Sequence, residues 1–177
     1  ILKHFMKRYQ VDIDEDTALI IEPVVMVSAP SKPDENSFYI RLLQELSTPY
    51  IKNESTSVKR ERVIRVLKKR KTRMLIIDEI QHVIAGSYNS QRNFLNAIKD
   101  LSNTLQIPIV GAGIEDAFHA IQVDTQLANR FQVEILPRWK INTSEDKKNF
   151  ARLIASIEQS LVLPEASHLY KQPYRFS

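Results

Sequence analysis

Four short apolar runs are separated by helix-length amphipathic segments: EPVVMVSAP (22–30), MLII (74–77), IPIVGAG (107–113) and FQVEILP (131–137). Unbroken β-branched runs of this length suit strands buried on both faces, where no polar alternation is needed. Strands that alternate with helices in this order imply a parallel sheet, because each parallel connection needs a crossover long enough to hold a helix. The arrangement predicts an α/β fold with helices on both faces of the sheet. At 177 residues, 43% of them hydrophobic, the chain is large enough for one sizeable core.

The intervening segments carry their own signals. Ile1, Phe5 and Tyr9 recur every four residues with Leu2 and Met6 beside them, the stripe of a helix. The acidic stretch Val11 to Ala18 reads as a loop. Asp34 is placed to cap a helix presenting Phe38, Leu42 and Leu46, closed by Thr48 and Pro49. A second helix is predicted from about Ser55 to Lys71, with Val58, Val63, Ile64 and Leu67 opposite its basic residues. A third starts at Asn89 or Ser90 and presents Phe94, Ile98, Leu101 and Leu105, and a short one covers Glu115 to Ile121. From Ser144 a further helix carries Phe150, Leu153, Ile154 and Ile157. It reads as the start of a small helical subdomain, so residues 1–140 are expected to form the core and 141–177 part of a second unit. There is no internal repeat.

Composition narrows the chemistry. Without cysteine there is neither a disulfide framework nor a thiolate zinc site, and the four histidines lack metal-ligand spacing. No apolar run reaches the ~20 residues that span a bilayer, and ILKHFMKRY lacks the apolar centre of a signal peptide. A soluble cytoplasmic protein with no membrane partner is expected. The net charge of +4 is concentrated: Lys59 to Arg73 holds nine basic residues and one acid, so the rest of the chain is net −4.

The acids that end the second run, Asp78 and Glu79, carry the functional reading. Ligands of open α/β sheets bind at the carboxyl ends of the strands, where this pair falls. Asp78 can hold a hydrated Mg²⁺, a hard cation that keeps several waters, and Glu79 can orient the water that attacks a γ-phosphate. A plainer reading, acids that merely end a strand, is outweighed by the order of elements around them. Arg130, in QLANRF, is placed to act as an arginine finger towards a nucleotide on a neighbouring subunit, although alone it would read as an ordinary surface arginine. The three glycines, Gly86, Gly111 and Gly113, all follow the acidic pair, so no glycine-rich phosphate cradle precedes it.

In order and spacing, PVVMVSAPSKPDENSFY, MLIIDEIQHVIAGSYNSQRNFLNAIKDL, IPIVGAGIEDAFHAI and QLANRFQVEILPRW resemble the TniB/TnsC-type AAA+ ATPases of bacterial transposons. The resemblance covers about Pro23 to Leu163. It implies a P-loop NTPase core, a three-layer α/β/α parallel sheet, with the start of a helical lid. It also implies ATP and Mg²⁺ as cofactors, and an ATP-dependent regulator of transposition that assembles on target DNA as a homo-oligomer and couples target choice to a transposase. Asp78 and Glu79 match the Walker B acids, Arg130 the arginine finger, and Gly111 to Gly113 the sensor 1 strand end, with Gly113 on the cofactor side. GAGI departs from the family there, since it lacks the usual polar side chain. ILKHFMKRY resembles the body of the helix that follows the phosphate loop, so that loop is expected just before Ile1, and the 177 residues alone are expected to hydrolyse ATP poorly or not at all. The polar tail from Glu165 is likewise expected to stop before the helix that carries sensor 2.

The basic segment KRERVIRVLKKRKTR offers Lys59, Arg60, Arg62, Lys68, Lys69 and Arg70 as candidates for DNA phosphates, where neutralised charge releases counterions. Its plainer reading is a solvated helix face, and the turn GSYNSQR is a competing DNA contact. Two other functions remain open at this level: a non-catalytic adaptor that binds a transposase or DNA, and a helicase loader of the related DnaC or IstB type.

Overall fold

The computed structural model describes residues 2–122, 132–136, 138 and 141–161. The chain divides into two units, Ile1–Gln132 and Val133–Ser177. In the first, a three-stranded parallel sheet is built from β3 (Val24–Ser28), β4 (Met74–Asp78) and β5 (Ile109–Gly111), in the order β3-β4-β5. Three of the expected runs thus form strands. The fourth does not: residues 132–136 carry no regular secondary structure and are exposed, while Phe131 and Pro137 lie outside the described residues.

The sheet faces differ because successive side chains alternate. Val25, Val27, Leu75 and Ile77 point to one face and share a core with three helices, α2 (Glu35–Glu45), α3 (Thr56–Lys69) and α4 (Tyr88–Leu105). Ile76 is buried on the opposite face. From the helices come Phe38, Leu42, Leu43 and Leu46, then Val63 and Leu67, then Phe94, Leu95, Ile98 and Leu101. Phe94 meets Phe38 edge-on with ring centroids 5.2 Å apart. Each such buried side chain contributes roughly 1.5–3 kcal/mol relative to exposure.

Local chemistry sets the helix ends. Asp34 Oδ2 accepts from Ser37 N at 2.7 Å, the cap that the sequence suggests, and Ser55 Oγ accepts from Val58 N at 3.4 Å, so orphan amides of α2 and α3 are satisfied. α4 begins earlier than expected, because the Ser87 hydroxyl takes the cap. Before it, a 3₁₀ helix spans Ile80–Ala85 and ends at Gly86, whose missing side chain leaves room for the Pro33 ring. α5 spans Glu115–Gln122, and α1 only Leu2–Met6, shorter than the nine-residue stripe.

One segment departs from expectation. The acidic stretch read as loop forms a hairpin of β1 (Asp12–Asp14) and β2 (Leu19–Ile21), with Ile13 opposite Ile20. Its turn is stabilised by Asp14 Oδ1, which accepts from Thr17 N at 3.1 Å, and the Thr17 hydrogen bonds hold the Asp14 carboxyl below the usual range. High charge density masked this turn in the sequence.

Lys59 is the largest correction. Expected among the DNA candidates, it is 1% exposed, and its ammonium donates to Asn36 Oδ1 (2.9 Å), Lys52 O (3.0 Å) and Glu54 O (2.6 Å). All three protons of the ammonium have an acceptor, so the group ties α2, α3 and the loop between them together and cannot reach a phosphate. Beside it, Arg62 grips Glu54 with two nitrogens at 2.7 and 2.6 Å.

In the second unit, α6 (Ser144–Ser160) starts with a capping box: Thr143 Oγ1 accepts from Asp146 N, and Asp146 Oδ2 accepts from Thr143 N, both at 3.1 Å.

Phe94→Ala is expected to lower unfolding free energy by about 3–5 kcal/mol in urea denaturation. Lys59→Met strands three acceptors and should cost about 1–3 kcal/mol, with DNA affinity unchanged in a filter-binding assay. Hydrogen bonding from Arg62 holds the Glu54 carboxyl below the usual range. A depressed folded-state value adds stability above the unfolded-state value that is lost as pH falls through the folded one. Glu54→Gln should therefore melt earlier than wild type at neutral pH, and the gap should close as pH drops below the ordinary glutamate range.

Candidate active site

The parallel register brings the three strand ends into a row. Ser28 pairs with Asp78, and Ile77 with Gly111, so Asp78 closes the central strand with a neighbour on each side. The ladder runs on past the strand ends: Ala29 N donates to Asp78 O (2.8 Å), Ala112 N to Ile77 O (2.8 Å), and Ile80 N to Ala112 O (2.9 Å). The backbone of the acidic pair is held from both sides.

Asp78 is half-buried, and its Oδ1 accepts from Glu79 N at 2.9 Å. Its other oxygen has no hydrogen-bond partner among the described residues. Glu79 is exposed and sits in the left-handed region at φ 56°, ψ 36°, a conformation that costs a non-glycine residue about 1–2 kcal/mol. Strain of this kind persists where the surroundings over-determine it, and it clusters at functional sites. The Glu79 carboxylate accepts from the Gln81 side-chain amide, whose own oxygen accepts from Ile114 N at 3.4 Å.

On the β3 side, Arg41 Nη1 donates to Ala29 O (3.1 Å) and Ser28 O (3.4 Å), and His82 Nδ1 lies 3.4 Å from Ala29 O. An open groove of about 440 Å³ begins there, lined by Pro30, Ser31, Lys32, Asp34, Ser37 and Arg41 among others.

Among the described residues no group of three or more His, Cys, Asp or Glu could hold a metal. A magnesium site of the nucleotide type does not need one, since that ion takes one or two carboxylates and otherwise water and phosphate oxygens. The Asp78 oxygen that has no partner among the described residues fits such an ion. Gly113 fits the cofactor expectation less well: a side-chain carbon there would collide with Gln81 Oε1, so a protein amide fills the space that the glycine leaves. Arg130 lies outside the described residues.

The basic segment separates into two faces. Arg60 binds Asp100 (2.5 Å) and Thr104 (3.2 Å), Arg62 binds Glu54, and Arg70 binds Glu22 (2.5 Å) and the Leu46 carbonyl. Like Lys59, these three arginines serve the fold. Lys68 and Lys69 are exposed, and so are Arg65 and Arg73. Arg65 was absent from the candidates, although its spacing of three and four from the two lysines puts it on their side of α3.

The family model for the bacterial TniB protein matches residues 1–141. No curated protein matches the chain. The matched span covers most of the 177 residues, including the whole parallel sheet and the acidic pair at its carboxyl edge. The chain belongs to the TniB family, AAA+ ATPases associated with bacterial transposition.

Proposed function

We propose that this protein is an ATP-dependent regulator of DNA transposition, built on a three-layer P-loop NTPase core with a helical lid segment in residues 141–177. It assembles on target DNA as a homo-oligomer and couples target choice to a transposase and its accessory proteins. One observation carries the reading: in a TniB-family chain, Asp78 and Glu79 close the central parallel strand at the edge where α/β sheets take their ligands.

The roles divide by chemistry. Asp78 offers an oxygen without a partner among the described residues to hydrated Mg²⁺, which when bound with ATP supplies positive charge to the phosphates. Glu79 orients the attacking water and accepts its proton, from a left-handed backbone position directly after Asp78. Arg130, from a neighbouring subunit, steadies the charge that grows on the transferred phosphoryl group. Amide cradles carry most of a triphosphate's binding, and the 177 residues contain no GxxxxGK sequence.

DNA contact is assigned to the outward face of α3 and the residues after it: Lys68 and Lys69, with Arg65 and Arg73. Among the described residues their charges are not committed to ion pairs, in contrast to Arg60, Arg62 and Arg70. Such contacts read the backbone and position the protein without reading bases.

In the full gene product, Glu79→Gln should retain ATP binding and lower DNA-stimulated hydrolysis by about 10²-fold or more, measured by phosphate release. Unchanged turnover would remove Glu79 from the chemistry. The 177 residues by themselves should show no steady-state hydrolysis, and a turnover that vanished with Glu79→Gln would overturn this. Reversing Lys68 and Lys69 to Glu should reduce the slope of log affinity against log salt by about 2, at nearly unchanged melting temperature. An unchanged slope would move the DNA contact elsewhere.

A further inference from the structure

The end of β5 lacks a polar side chain. Gly111, Ala112, Gly113 and Ile114 follow one another where the strand passes the acidic pair, and none can hydrogen-bond through its side chain. Yet the Glu79 carboxylate is not left alone. Gln81, two residues further on, directs its amide nitrogen at that carboxylate and its amide oxygen at the Ile114 N–H, 3.4 Å away.

Three features make this bridge specific. A carboxylate that accepts from an amide gains a charge-assisted bond, stronger than a neutral one. Gly113 has no side chain in the space that Gln81 Oε1 occupies, and a carbon there would also press on Ile80 Cγ2 at 3.0 Å and Gln81 N at 3.3 Å. The backbone connection runs beside it, since Ile80 N donates to Ala112 O. The β5 end and the turn after β4 are therefore joined once through the main chain and once through the Gln81 amide.

We infer that Gln81 is a positioning residue for the Glu79 carboxylate, supplying from the turn after β4 the polar contact that the end of β5 lacks. The inference rests on the ATPase reading above. Glutamine suits this place because one planar group both donates and accepts. Its donor orients Glu79, and its acceptor keys that orientation to Ile114, so a shift of the β5 end is passed to the carboxylate that handles water. An error of about 1 Å in such a group is enough to cost orders of magnitude in rate.

The test compares Gln81→Leu and Gln81→Glu with wild type in the full gene product, by steady-state hydrolysis with DNA and by thermal melting. Gln81→Glu keeps an acceptor for Ile114 N–H but presents a like charge instead of a donor to Glu79. Both variants should lose kcat by about tenfold or more with KM for ATP little changed, and Gln81→Glu should do so while melting near wild type. A merely structural role predicts loss only where melting falls, and kcat at the wild-type level in Gln81→Glu would overturn the inference. So would a higher kcat in Gln81→Leu, which would make the bridge a brake. Absence of turnover in wild type would sink the ATPase reading and the positioning role with it, whereas turnover insensitive to both variants sinks the positioning role alone. In the 177-residue chain, Gly113→Ala should lower the melting temperature less in a Gln81→Ala background than in wild type, and an equal penalty in both would show that the amide does not occupy that space.

Discussion

The central position of β4 is the constraint from which the site follows. With a parallel neighbour on each side, its five residues have their backbone groups paired in both directions, and the ladder continues past the strand through Ala29, Ala112 and Ile80. An interior strand has no freedom to slip, because a shift of one residue would exchange Leu75 and Ile77 in the helical core for Ile76 on the other face. Fixing that register also fixes where Asp78 emerges. The apolar residues that drive folding are thus the ones that aim the acids, and the strain at Glu79 is sustained by packing on the preceding residues.

Much of this was legible from sequence because the apolar signals are strong and local. The runs at 22–30, 74–77 and 107–113 contain the strands observed, and Asp34 caps its helix through short-range geometry that the residue type nearly dictates. The acid pair was readable for the same reason, since it follows directly on one of those runs. What stayed hidden depends on partners distant in sequence. Nothing in DIDEDTALI announces that Asp12 will pair with Ile21, and nothing near Gln81 names Ile114 as the other end of its bridge. The expected strand at 131–137 failed differently: FQVEIL has strand composition, but residues 132–136 are exposed and irregular, so β propensity there lacks the burial that usually gives it meaning.

The basic segment teaches a related lesson about charge. From Lys59 to Arg73 the sequence shows one patch of nine cations, but position on a helix sorts them. Those on the inner side are consumed by the fold: Lys59 by three oxygens, Arg60 by α4, Arg62 by the loop before α3, and Arg70 by Glu22 and the end of α2. These pairings join residues 5 to 48 positions apart and help set how α2, α3 and α4 meet. The formal excess of the segment therefore overstates the field that a ligand would meet, which comes mainly from the residues left pointing outward.

The contact between Gly86 and Pro33 links two loops that approach the site from different strands. Pro33 belongs to the loop that leaves β3 and borders the open groove, whereas Gly86 belongs to the turn that leads from the acidic pair into α4. With a ring seated where a side chain would otherwise stand, the two loops behave as one piece of wall. Any side chain at position 86 would have to displace that ring, and with it the loop that borders the groove.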